Sequence, residues 1–116
     1  MDTPKIFDSE YRFCLILWRE EPINSTKLAR LCREELGWSR TTTYTVIKRL
    51  SDRGVVKNEN ATVRSLVSKE EVQAAEMDEL LEKTFEGSLP AFIAAFARRQ
   101  KLTEEEAAEI RRIIES

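Results

Sequence analysis

The chain has 116 residues, enough for one proper core or a small domain with an appendage, and a third of them are charged. It has no histidine and no apolar run near the roughly 20 residues of a membrane span, which removes the commonest general base and metal ligand and excludes a spanning helix. The net charge of −2 is unevenly divided: residues 1–68 carry 12 Lys and Arg against 9 Asp and Glu, whereas residues 69–116 carry 7 against 12, so the first part is the one suited to a phosphate-rich partner.

The N-terminal stretch MDTPKIFDSE is acidic and lacks the apolar segment of a signal peptide, so a cytoplasmic protein is expected. A first helix is predicted from Ser9, as cap, to Arg19. Phe7, Tyr11, Cys14 and Trp18 set its buried side, which Leu15 and Leu17 broaden. Asn24 or Ser25 opens a second helix with Leu28, Leu31, Cys32 and Leu36 inward and Lys27, Arg30, Arg33 and Glu34 outward. Cys14 and Cys32 read as small core residues, since neither sits in a CxxC pair or near other metal-ligand types; no metal and no cofactor is expected.

Gly37 closes the second helix, and only Gly37 and Trp38 precede the next cap at Ser39. The third helix, within SRTTTYTVIKRLSDRG, ends at Gly54. Thr43, Val46, Ile47 and Leu50 recur at the spacing of one buried face. Thr41, Thr45, Lys48 and Asp52 then occupy the opposite side, with Tyr44 and Arg49 flanking. Two helices meeting across so tight a turn read as a helix-turn-helix whose second member enters the DNA major groove. Short hydroxyl side chains permit close approach to base edges, and Arg and Lys suit phosphate or guanine. The face taken alone also fits an ordinary solvated helix.

After Gly54 the period changes. Val55 to Asn58 and Thr62 to Val67 read as two short strands around a turn at Glu59 to Ala61, a wing whose Lys57 and Arg64 are placed to meet phosphates. The alternative is a small sheet that only seals the core. Ser68 with Glu71 forms a capping box for a fourth helix bearing Val72, Ala75, Met77, Leu80, Leu81 and Phe85, stopped at Gly87. Ser88 and Pro90 open a fifth, with Leu89, Phe92, Ile93 and Phe96 at helical spacing. Thr103 and Glu106 box a sixth carrying Ala107, Ile110, Ile113 and Ile114. These helices hold too much apolar surface for a tail and too few residues for a core of their own. Burial against a second copy is expected, and folding back onto the first domain is the alternative. The fold class is therefore mainly α with a small β-hairpin wing. A winged helix-turn-helix domain spans residues 1–68 and a helical dimerisation domain spans 69–116.

Several motifs in order resemble the penicillinase-repressor family of bacterial transcription regulators, the BlaI/MecI/CopY type. They are Glu10 to Trp18 ending in a Leu-Trp pair, the Gly37-Trp38-Ser39 junction, Thr42 to Leu50 with Arg49-Leu50, and Gly54. Leu66-Val67-Ser68-Lys69-Glu70-Glu71, Phe85-Glu86-Gly87-Ser88-Leu89 and Leu102-Thr103-Glu104-Glu105-Glu106 follow. The resemblance implies a homodimeric repressor on a palindromic operator in double-stranded DNA, one reader helix per half-site. It implies operator contacts from Thr41, Thr42, Thr45 and Arg49, with the wing on the backbone. Ser39, Arg40, Tyr44 and Lys48 complete the expected DNA-facing set, and release is expected to lie with a separate sensor or protease. Dimerisation is expected from Leu80, Leu81, Phe85, Leu89, Phe92, Ile93, Phe96, Ile110, Ile113 and Ile114.

The chain departs from the family pattern at four places. Arg40 and Thr41 stand where familiar members have a Pro-Lys pair, and the wing ends Arg64-Ser65-Leu66-Val67 in place of a Tyr-rich strand. Ala95 and Phe96 stand at the place of the Asn-Phe bond cleaved in β-lactam-responsive members, and the terminus EIRRIIES lacks the cysteines of copper-responsive ones. Neither of those release mechanisms is carried over. No nucleophile-base constellation or phosphate-cradling glycine loop is present, so no enzyme is expected. The alternative from another class is a winged-helix protein-interaction module that does not read DNA.

Overall fold

The computed structural model describes residues 3–99 and 101–116. Its first helix, α1 (Asp8–Glu20), starts one residue before the predicted cap, because the Glu10 carboxylate reaches back to accept from the Phe7 amide at 2.9 Å. Ser9 therefore lies within the first turn. The buried stripe is also rotated from the predicted one: Glu10, Phe13, Cys14, Ile16 and Leu17 face the core, whereas Phe7 and Leu15 are exposed. Phe7 precedes the helix and so never shared its period. Tyr11 and Trp18 are half-buried, stacked edge to face 5.7 Å apart.

A two-residue strand, β1 (Ile23–Asn24), runs directly into α2 (Ser25–Leu36). Asn24 caps that helix, its side chain accepting from the Thr26 amide at 2.9 Å. Leu28, Ala29 and Cys32 are buried, while Leu31 and Leu36 pack at the margin. At the far end Gly37 adopts φ 70°, and the Gly37 and Trp38 amides donate to the Arg33 and Cys32 carbonyls. No Cβ is present there to oppose the left-handed turn.

Helix α3 (Arg40–Asp52) follows, capped by Ser39, whose hydroxyl accepts from the Thr42 amide at 3.1 Å. The hairpin is formed by β2 (Val56–Glu59) and β3 (Thr62–Ser65). The sheet has three strands where two were expected. β3 is central, paired antiparallel with β2 on one side and with β1 through Ile23 and Val63 on the other. β3 ends at Ser65, and the Leu66 amide extends the hairpin ladder by one bond in register, donating to the Val55 carbonyl at 2.8 Å. One core joins α1, α2, α3 and the sheet through Phe13, Leu17, Leu28, Leu50, Val55 and Val63, all inaccessible to solvent. The indole of Trp18 donates to the Val67 carbonyl at 2.9 Å, and Val72 completes the core from the first turn of the next helix.

That helix, α4 (Lys69–Phe85), has the expected capping box of Ser68 and Glu71. The chain forms two compact units divided between Ala75 and Glu76, within α4 and seven residues beyond the 68/69 division read from the sequence. The second unit contains the rest of α4, then α5 (Leu89–Arg99), with Ser88 accepting from the Ala91 amide, and α6 (Glu104–Glu115), boxed by Thr103 and Glu106. Phe85, Phe92 and Phe96 form a row of ring contacts within it. Neither α5 nor α6 has a buried residue, although both are amphipathic.

Candidate nucleic-acid interface

Helix α3 is held from beneath by Thr43, Val46, Ile47 and Leu50, all buried. Thr43 satisfies its hydroxyl by donating to the Ser39 carbonyl at 3.4 Å, so a polar side chain is tolerated in the core. Leu50 is fully buried, and truncating it to Ala would cost roughly 2–5 kcal/mol. The two-residue turn is anchored at both positions, at Gly37 by backbone conformation and at Trp38 by a ring stacked parallel to Phe13 at 6.2 Å. The inward face thereby dictates what points outward.

The outward side is a shallow concavity lined by Arg40, Thr41, Tyr44, Thr45, Lys48, Arg49 and Asp52. Six of these are the expected contact residues, brought together on one surface. Asp52 has a partner in Lys48, 3.6 Å away one turn earlier, and both side chains are mostly exposed. Such a pair contributes about 0.3–0.5 kcal/mol, so it leaves Lys48 free to exchange partners.

The remaining expected residues are placed differently. Ser39 and Thr42 sit at the helix start with their hydroxyls 2.9 Å apart, and Ser39 also caps the helix, so these two shape the first turn. Tyr44 is half-buried, its ring under the Arg40 guanidinium at 5.5 Å and its hydroxyl donating to Ser25 at 3.4 Å. Hydrogen bonding to Ser25, and next to Thr26, lowers its pKa. Ser25 and Thr26 thus position Tyr44 from α2, a role that no spacing within α3 reveals. Lys57 and Arg64 lie outside the concavity. They are register partners across the hairpin, so both leave the same face, and both are exposed. Lys57 is also 3.2 Å from Glu59, which reduces the positive field of the wing.

The far end of α3 is locked by Arg53. Its guanidinium pairs with the Glu10 carboxylate and lies 5.4 Å over the Phe7 ring. Burial alone would raise the Glu10 pKa; the hydrogen bonds from Arg53 and the Phe7 amide, with the charges of Arg53 and Arg49, outweigh it and hold the carboxyl below its ordinary value. The two cysteines are buried, and burial pushes the thiol of Cys14 up to about 12 and that of Cys32 to about 11. Both stay protonated at neutral pH, consistent with a packing role.

Three helices around one core, a two-residue turn into α3 and a hairpin behind it define a winged helix-turn-helix protein with a helical second unit. The model of the penicillinase repressor family matches residues 6–116, and the chain belongs to that family of transcriptional regulators. It is similar to the methicillin resistance regulatory protein MecI of Staphylococcus aureus, with 23% identity over 97% of this chain and 94% of the relative. It is also similar to MecI of Staphylococcus epidermidis, with 22% identity over the same shares.

Proposed function

We propose that the chain is a homodimeric transcriptional repressor that places α3 in the major groove of a palindromic operator. One observation carries the reading: the solvent side of a rigidly capped helix gathers Arg40, Thr41, Thr45, Lys48 and Arg49 on one surface, with hydroxyls and cations interleaved. Thr41 and Thr45 are short enough for the helix to approach base edges, while Lys48 and Arg49 supply phosphate or guanine contacts. The exposed apolar side chains of α5 and α6 support a second copy as the partner. In this reading the protein binds and releases DNA and performs no covalent chemistry, and release lies with a separate sensor or protease.

The test is a gel shift on the promoter of its own operon across a salt series, with a scrambled duplex as control. The reading predicts preference for the promoter, affinity falling with salt, and loss of the preference when Lys48 and Arg49 are changed to Ala. Binding with neither preference nor salt dependence would sink it.

A further inference from the structure

A second groove adjoins the concavity of α3. Thr26, Ala29, Arg30 and Arg33 of α2 line one wall, and Arg40, the first residue of α3, lines the other. The α2 positions recur every three to four residues, so they form one stripe along that helix. Ala29 is buried at the floor, while the three arginines are exposed. Among the described residues no carboxylate forms an ion pair with Arg30, Arg33 or Arg40, although acids are plentiful elsewhere. Arg19, by contrast, on α1, is held by both Glu20 and Glu35.

Three like charges facing one groove without a counterion repel one another, which an anion in the groove would reverse. All three are Arg, whose planar fork matches phosphate oxygens two at a time. Arg40 borders both this groove and the reading face, so the two surfaces are continuous. A helix seated in the major groove has a sugar-phosphate strand along each flank, and the preceding helix crosses that strand.

We propose that the groove between α2 and the start of α3 is a phosphate subsite, in which Arg30 and Arg33 bind consecutive backbone phosphates of the strand flanking the base pairs read by α3. This rests on the repressor reading above. Thr26 adds a hydroxyl at the rim, and Arg40 hands the strand from one surface to the other. Arg30 and Arg33 carry no sequence information; they set affinity and register.

The experiment compares R30A/R33A with the unaltered protein on the promoter duplex and on a scrambled duplex, across the same salt series. Each phosphate contact contributes about 0.9 to the slope of log K against log salt, so the slope falls by about 2. Affinity for both duplexes falls together, at least tenfold, and the ratio between them is unchanged. R30K/R33K restores the slope and only part of the affinity. Both side chains are exposed, so the thermal midpoint is preserved. An unaltered slope and affinity in R30A/R33A overturns the subsite while leaving the repressor reading intact, as does a loss confined to the promoter duplex. Failure of the unaltered protein to bind either duplex overturns both.

Discussion

Glu10 ties the end of α3 to the start of α1. Its carboxylate bonds the Phe7 amide and the Arg53 guanidinium, so one side chain starts α1 and fastens the end of α3. Its pKa is depressed in the folded state, so the contribution to stability is complete above the ordinary value of 4.5 and is lost as pH falls through the folded value. Replacing Glu10 by Gln should lower stability by about 1–3 kcal/mol at pH 7, discounted from a fully buried pair because the Arg53 side chain is 32% exposed. Thermal melts between pH 7 and pH 3 check this: the gap between variant and parent should narrow in acid, and a constant gap would mean that charge is not the cause. Asp52, the acid on the basic face of α3, lies 3.6 Å from the Lys48 ammonium.

Among the elements, the hairpin carries a local conflict. Asn60 and Ala61 form its two-residue loop, with φ 52° and 62°, the conformation of a type I′ turn. Asparagine tolerates a positive φ, but alanine does so at a cost of roughly 1–2 kcal/mol. The Ala61 carbonyl accepts from the Ser25 amide at 2.7 Å, so the loop is also bonded to the start of α2. Ala61→Gly should stabilise the protein by about 0.5–1 kcal/mol in urea unfolding, whereas destabilisation would refute the strain.

The sequence displays some elements far better than others. Helices α3 to α6 were legible because caps such as Ser39, Ser68 and Thr103 precede clear helical spacing. The face of α1 was not, since Phe13, Leu15, Ile16 and Leu17 form an almost continuous apolar run in which several stripes fit. Strand β1 was invisible because two residues carry no period, and its pairing is set by Val63, forty residues away. The outward residues of α3 followed from its buried face, but the support of Tyr44 by Ser25 depends on tertiary packing.

At the scale of the whole molecule, the two compact units differ in what they bury. The first encloses the core, whereas in the second Leu89, Ile93, Ile113 and Ile114 remain exposed, the last two at 64% and 70%. In the proposed repressor these side chains are the ones a symmetric copy of the same chain would cover. Sedimentation at micromolar concentration should give a dimer, and Ile93→Glu with Ile113→Glu should shift it toward monomer; a monomeric parent would contradict the dimer. The repressor account is tested most directly by hydroxyl-radical footprinting on the promoter of its own operon. A dimer with one α3 per half-site predicts two protected segments related by a dyad, their centres one helical turn or a multiple apart. A single unsymmetrical footprint, or no protection where the protein binds, would contradict it.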